Sequence, residues 1–250
     1  MINEQNWQQI SEQFENAQPF RHCVIDNFWQ EDVAEQLLAE FPDYDSPVWH
    51  THYQNPLEDK KTCNHWDKFS PTIYRAFTFL NSNEFVEHIK TISQKSKIYT
   101  DVGLHGGGLH GHHRGGKLNV HLDYNIHPKL KLKRNYNLIV YMTPGWHPEW
   151  GGGLELWSHN EDGSPKERVV TLDNQFNRAV LFDTTQYSWH GLPENLTCPE
   201  TTFRRSFAVY YLTDPEPNAD PRPRALFSPH REQANDPKIL ELIKQRVSLK

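Results

Sequence analysis

The chain lacks the sequence features that are typical of several classes of protein. Its 250 residues include three scattered cysteines, Cys23, Cys63 and Cys198, too few for a disulfide framework and typical of a reducing cytosol. No apolar run is long enough for a signal peptide or a membrane span, so we expect a cytoplasmic protein without a membrane partner. A formal net charge of −6 argues against nucleic-acid binding.

A short alternating segment carries the most informative residues. Residues 117–123 (KLNVHLD) alternate apolar and polar side chains, which predicts a half-buried strand with His121 and Asp123 on one face, about 7 Å apart at their bases. A further ligand must come from a neighbouring strand, and His190 is the candidate. Two imidazoles and one carboxylate leave one side of a metal open, as in non-heme Fe(II) oxygenases.

Other histidine and carboxylate pairs are weaker candidates, because 15 histidines produce such pairs by chance. The segments that begin at His65, His147 and His159 do not alternate or are turn-like, and we interpret them as surface loops. The glycine- and histidine-rich segment 103–116 admits a second metal cluster or a mobile loop. We favour the loop, because flexible glycines do not preorganise ligands.

The rest of the pattern predicts a mainly β fold with flanking helices. Short strands at eight- to twelve-residue intervals are typical of a sandwich or barrel. The strands are predicted at 20–28, 117–123, 135–143, 151–157, 168–173, 178–183, 188–193 and 203–212. Buttressing helices are predicted at 30–41, 70–80 and 83–93, a long polar loop at 46–63, and a terminal helix at 235–247.

The last strand adds a group that binds carboxylates. Arg204 and Ser206 share one face of it, and an arginine that faces a barrel interior needs an anionic partner. A guanidinium binds a carboxylate through two parallel hydrogen bonds, and the serine can donate a third. The site would suit a dicarboxylic keto acid that chelates a metal at one end and contacts Arg204 at the other.

This order of residues resembles the Fe(II)/2-oxoglutarate-dependent dioxygenases, in particular their prolyl 4-hydroxylase-like branch, over roughly residues 98–213. The matching positions are His121-x-Asp123, Tyr141, Gly152-Gly153, His190 and Arg204-x-Ser206. The resemblance implies a double-stranded β-helix (jelly roll) with His121, Asp123 and His190 as catalytic iron ligands. It also implies 2-oxoglutarate as co-substrate, held by Arg204, Ser206 and Tyr141, and it allows ascorbate as a reductant.

One region departs from that branch. Many prolyl hydroxylases carry a tyrosine that contacts 2-oxoglutarate on the strand before the His-x-Asp motif. This chain has His110-Gly-His-His113 there instead. We expect His110 to lie near the co-substrate.

The expected function is hydroxylation of a C–H bond in a small molecule or an amino-acid or peptidyl substrate, with release of succinate and CO2. The alternative is a cupin-like metal- or sugar-binding protein, against which the Arg204-x-Ser206 pair counts. A zinc hydrolase would need a general base that no spacing here indicates. The basic run 127–134 is either a solvated hairpin or a lid that prefers an acidic substrate.

We expect one domain over residues 1–250, in three parts. Residues 1–97 supply a strand and the buttressing helices, and residues 98–213 form the jelly-roll core. Residues 214–250 form a proline-rich tail that packs over the sheet and a terminal helix. The apolar stripe of that helix docks to the body or to a second subunit, which would give a homodimer.

Overall fold

The computed structural model describes residues 1–248. Residues 249 and 250, at the end of the predicted tail segment, lie outside it. Within the described part no helix is long and apolar enough to cross a membrane. The five helices assigned there are α1 (Trp7–Asn16), α2 (Glu31–Ala39), α3 (Pro71–Leu80), α4 (Asn83–Ser93) and α5 (Pro237–Ser248).

The strands belong to one sheet whose pairings are antiparallel. In chain order they are β1 (His22–Ile25), β2 (Thr51–Asn55), β3 (Glu58–Cys63), β4 (Tyr99–Thr100), β5 (Gly108–His112), β6 (Lys117–Leu122), β7 (Lys133–Tyr141), β8 (Leu154–His159), β9 (Pro165–Leu172), β10 (Ala179–Asp183), β11 (His190–Leu192), β12 (Arg204–Thr213) and β13 (Leu226–Phe227). Their order is β1-β10-β7-β12-β5-β3-β6-β11-β8-β9, with β2 on β3, β4 on β12 and β13 on β6. This is the double-stranded β-helix predicted from the sequence.

Successive side chains of the central strands alternate between two faces of the sheet. One face packs against the helices, and the other lines a polar cavity. On β7, Leu138 and Val140 belong to a large apolar cluster with residues of helices α1, α3 and α4, such as Phe77 and Phe85. Asn137 lies on the other face and lines a cavity. Successive strand residues point to opposite faces, so burying one face against the helices aims the other at the cavity.

The helices begin where the sequence supplies caps. Ser70 and Ser82 precede α3 and α4, and each hydroxyl accepts a hydrogen bond from a backbone N–H of the first helical turn. Proline at the first position of α3 loses no helical hydrogen bond there. These two helices pack on the outer face of the sheet, opposite the face that lines the cavity.

Two segments predicted as loops contain strands. Within 46–63, β2 and β3 form a hairpin, and β3 also pairs with β5 and β6. The loop prediction was wrong because this hairpin lies between solvent and a polar cavity, so its sequence lacks the apolar alternation on which strand prediction depends.

Within 103–116, residues 108–112 form β5 between β3 and β12. Gly108 has φ +97°, and a Cβ there would lie 2.1 Å from the Cys63 carbonyl oxygen. The glycine that suggested a mobile loop is therefore required by close strand packing.

The C-terminal segment supplies part of the cavity lining. Phe227 of β13 pairs with His121 of β6, and Ile243 of α5 packs in one apolar cluster with Leu57 and Phe227. Arg246 of α5 donates to Glu58 on the hairpin at 2.5 Å. The tail therefore forms one wall of the cavity. The three-part division and the homodimer stay predictions.

Candidate metal centre and carboxylate pocket

Three side chains converge at one end of the cavity. His121 on β6 lies directly opposite His190 on β11, with ring centroids 4.4 Å apart, and Asp123 follows β6 immediately. The Nε2 atoms of His121 and His190 lie 3.6 and 3.8 Å from the carboxylate oxygens of Asp123. One donor atom from each residue falls within 4.8 Å of the others, so the predicted ligands are brought together.

The hydrogen bonds of both histidines suit metal binding. His121 Nδ1 lies 2.9 Å from the Asn119 carbonyl oxygen, and His190 Nδ1 lies 2.8 Å from that of Ser188. A carbonyl only accepts, so each ring carries its N–H on Nδ1 and leaves the Nε2 lone pair free. Burial lowers the pKa of His190 to about 4, which keeps that ring neutral. Two imidazoles and a carboxylate fit a divalent metal with an open side.

The carboxylate of Asp123 is oriented by two further side chains. Arg134 Nη1 lies 3.1 Å from Oδ1, and Asn137 Nδ2 donates to Oδ2 at 3.2 Å. Arg134 is buried, with its guanidinium over the rings of Tyr124 and Tyr210. Burial alone would raise the pKa of Asp123, but Arg134 and the two histidines hold it well below its usual value. Asp123 is therefore an ionised carboxylate that is available to bind a metal.

Arg134 was predicted within a basic run, as part of a solvated hairpin or a lid. For this residue the prediction was wrong, because Arg134 enters β7 and is 2 % exposed. Lys133 next to it pairs with Glu216 at the surface. Sequence reasoning missed Arg134 because a buried arginine and a solvated one look alike until the partner carboxylate is placed.

Arg204 is the second charged centre of the cavity. It is 2 % exposed, its Nε donates to the Gly152 carbonyl at 2.8 Å, and its guanidinium lies 4.8 Å from the centroid of the Tyr141 ring. Gly152 has φ +79°, and a Cβ there would lie 3.2 Å from the Arg204 side chain. No carboxylate in the described part of the chain lies within ion-pair distance of Arg204, so this buried cation needs an external anion.

The strands around Arg204 place the other predicted residues beside it. Ser206 lies opposite Tyr141 on β7 and opposite His110 on β5, so these three form one row across the sheet. The Tyr141 hydroxyl and His110 Nε2 are buried and have no hydrogen-bond partner in the described structure. Burial, followed by nearby cations, lowers the pKa of His110 to about 3.

Two cavity residues were missed by sequence reasoning. His112 lies opposite Arg204, two residues beyond His110 on the same strand face. Its i, i+2 spacing from His110 was the available signal, which the loop prediction for 103–116 hid. Phe227 stacks on His121, and nothing in the proline-rich tail indicated that contact.

The cavity that joins the two centres has a volume of about 220 Å³. His121, Asp123, Arg134, His190 and Arg204 all line it. The weaker candidates lie elsewhere: His65 stacks on His50, His147 is paired with Glu149 at the surface, and His159 stacks on Tyr187. In the described residues, the only cluster of three or more metal-binding side chains is the one at His121.

Residues 107–218 match the family model of the 2OG-Fe(II) oxygenase superfamily. This match covers β5 to β12 and includes the three candidate ligands and Arg204. The segment is therefore a 2OG-Fe(II) oxygenase domain. The relatives reported below include a prolyl 3-hydroxylase and the structure of a prolyl hydroxylase.

Among curated proteins the chain is similar to prolyl 3-hydroxylase OGFOD1 of Mus musculus, with 26 % identity over 205 residues. The alignment covers 77 % of this chain but 33 % of the relative, so the chain spans about a third of that protein's length.

Two solved structures share the fold. One is a prolyl hydroxylase from Trichoplax adhaerens in complex with a hypoxia inducible factor peptide, with a TM-score of 0.57 and 17 % identity over 84 % of this chain and 94 % of that one. The other is HygX from Streptomyces hygroscopicus with nickel, 2-oxoglutarate and hygromycin B bound. Its TM-score is 0.50, with 12 % identity over 84 % of this chain and 87 % of that one.

Proposed function

We propose that this protein is an Fe(II)- and 2-oxoglutarate-dependent dioxygenase that hydroxylates a C–H bond. One observation carries the proposal: a 2-His-1-carboxylate cluster and a buried arginine without an anionic partner line the same cavity. A keto acid with a distal carboxylate complements both centres, because one end chelates a metal and the other neutralises Arg204.

The chain's own residues would bind and orient the metal and the co-substrate, and they would exclude water. His121, Asp123 and His190 would hold Fe(II), and Arg134 and Asn137 would keep the Asp123 carboxylate ionised and aimed at it. Arg204, Ser206 and Tyr141 would hold the distal carboxylate of 2-oxoglutarate. With Fe(II) and 2-oxoglutarate bound, oxygen would oxidise the substrate while the keto acid is converted to succinate and CO2.

The structure favours this proposal over a cupin-like binder without turnover. Holding a buried guanidinium without a carboxylate partner is costly, and a simple metal or sugar site has no use for it. Arg204 also has its Nε fixed by the Gly152 carbonyl, so the guanidinium is preorganised.

We propose an amino-acid or peptidyl substrate, with a small molecule as the competing substrate class. The names of the mouse relative and the Trichoplax structure support a peptidyl proline. The name of the HygX structure supports a small molecule. A cavity of about 220 Å³ is below the usual range for enclosing a drug-sized ligand, so we expect one small reacting group to enter beside the co-substrate.

The test has a binding step and a turnover step. Anaerobic addition of Fe(II) and 2-oxoglutarate to the wild-type protein should produce a weak visible charge-transfer band. Succinate release should then be screened against prolyl peptides, free amino acids and small polyhydroxylated molecules. His121→Ala should abolish both signals, and the matched surface variant His147→Ala should retain both.

An unchanged rate of succinate release in His121→Ala would contradict the metal assignment. Metal binding without any effect of 2-oxoglutarate would favour the cupin-like alternative. The cytoplasmic location and the use of ascorbate stay expectations, which fractionation of the native cells and an ascorbate-dependence assay can test.

A further inference from the structure

His112 is a buried polar side chain whose hydrogen bonds are unaccounted for. It is 2 % exposed, and neither ring nitrogen has a hydrogen-bond partner in the described structure. Buried polar side chains nearly always have at least one partner, because a buried donor or acceptor without one loses its hydrogen bonds to water without replacement. The ring therefore indicates a hydrogen-bonding group that comes from outside the chain.

The position of His112 limits what that group can be. His112 on β5 lies directly opposite Arg204 on β12, and directly opposed residues of adjacent strands project from the same face of a sheet. Both residues line the one cavity that also contains the metal cluster. A ligand that pairs with the Arg204 guanidinium in this cavity therefore has His112 as a neighbouring side chain.

We propose that His112 donates a hydrogen bond to the distal carboxylate of the bound keto acid and, with Arg204, selects a dicarboxylic keto acid over a monocarboxylic one. This proposal rests on the proposed function, and it assigns a binding residue that the sequence pattern did not indicate.

The surrounding charges favour an anion at this position. Burial, followed by the positive charges of Arg204 and Lys60, holds the pKa of His112 well below its usual value. The ring is therefore neutral, with one N–H to donate and no positive charge to repel Arg204. A second cation here would be repelled by Arg204 and Lys60, whereas a carboxylate would be attracted by both and would accept from the ring.

A second metal site at the same histidines is the rival explanation. In the described residues, His110 and His112 have no third histidine, cysteine or carboxylate positioned to complete a cluster. His110 lies opposite Ser206 rather than opposite a charged residue. The histidine pair therefore fits a polar binding surface for one anion better than it fits a second metal site.

The experiment compares two keto acids that differ only at the distal end. Anaerobic Fe(II)-loaded protein is titrated with 2-oxoglutarate and, separately, with 2-oxobutyrate, and the charge-transfer band gives each Kd. The variants are His112→Phe, which removes the donor, and His112→Asn, which keeps an N–H. His113→Phe is the matched control, because that neighbouring ring lies outside the cavity lining and stacks on Tyr44.

We expect His112→Phe to raise the Kd of 2-oxoglutarate about ten- to a hundredfold, the range for one hydrogen bond to a charged group. The Kd values of 2-oxobutyrate and of Fe(II) should stay within about twofold of wild type. His112→Asn should recover part of the loss, and His113→Phe should match wild type.

Equal weakening of both keto acids would overturn the proposal, because it would indicate a general packing role. An unchanged affinity for 2-oxoglutarate would overturn it as well. Failure of the proposed function looks different, since the wild-type protein itself would then give no charge-transfer band with either keto acid. Circular dichroism and thermal unfolding of each variant establish that the compared proteins are folded.

Discussion

The Phe227 ring lies against the His121 imidazole, with centroids 5.2 Å apart and planes inclined by 25°. The contact follows from strand pairing, because β13 places Phe227 directly opposite His121 on β6. The guanidinium of Arg246 also lies over the Phe227 ring, 4.7 Å from its centroid. A residue from beyond the family match at 107–218 therefore packs on a candidate metal ligand.

Phe227→Ala should weaken both the fold and the metal site. Phe227 is 5 % exposed, and truncation of a buried phenylalanine costs about 3–5 kcal/mol of unfolding free energy. Loss of the ring that packs on His121 should also raise the Kd for Mn(II) about tenfold, as for other residues that orient metal ligands. Urea unfolding and metal titration measure the two effects. Phe227→Leu is the control, and a normal metal Kd in Phe227→Ala would limit Phe227 to a core role.

Arg134→Met should destabilise the metal-free protein more than the metal-loaded protein. Arg134 and Asp123 form a buried ion pair, and removal of one partner of such a pair costs about 3–5 kcal/mol because a buried charge is left alone. A bound divalent metal compensates Asp123, so saturating Mn(II) should reduce the loss.

Arg134→Lys should not restore stability, because the Arg134 side chain lies over two aromatic rings that suit a planar guanidinium. Unfolding curves with and without Mn(II) test both variants. An equal loss of stability in both states would contradict the electrostatic explanation.

Glu58→Gln should make stability less dependent on pH in the acid range. Burial alone would raise the pKa of Glu58, but Lys60 and Arg246 outweigh burial and hold it below its usual value. A carboxyl with a depressed folded-state pKa contributes stability above its unfolded pKa of about 4.3, and that contribution is lost as pH falls through the folded pKa.

Glu58→Gln should therefore cost about 1.5 kcal/mol at pH 7, the scale of one charge-assisted hydrogen bond, and nothing once the pH is below the folded pKa. Chemical unfolding at a series of pH values measures this difference. Glu87→Gln, at an exposed pair with Lys90, should change stability little at any pH. A cost that is the same at all pH values would reject the ion-pair explanation.

Gly108→Ala should be far more damaging than Gly115→Ala. Both glycines have positive φ, but a Cβ at Gly108 would meet the Cys63 carbonyl oxygen, whereas none of the surrounding atoms lies within 4 Å at Gly115. Backbone strain costs about 1 kcal/mol in both variants, and forced movement of β3 adds about 1–3 kcal/mol at Gly108. Thermal unfolding compares them, and equal stabilities would argue against close packing of β5 on β3.

Much of the fold could be predicted because its signals are local. Residues 135–143, rich in β-branched and aromatic side chains, and residues 203–212 were predicted as strands, and the structure places β7 and β12 there. Helices were predicted at 70–80 and 83–93, and the structure places α3 and α4 there. The hairpin β2–β3 was not predicted, because its faces contact solvent and a polar cavity. Its sequence therefore has no alternation of apolar and polar residues.

The sequence by itself determined the candidate donor set: His121 and Asp123 on one face of a strand, His190 downstream, and Arg204 on the last strand. The placement of His121 and Asp123 follows from the two-residue repeat of a strand, which is a local property, and the choice of His190 and Arg204 follows from the resemblance to the family order of motifs. Only the tertiary structure decided that Arg134 pairs with Asp123, that His112 faces Arg204 and that Phe227 covers His121. Those relationships depend on strand order and register between segments distant in the chain, which no local pattern encodes.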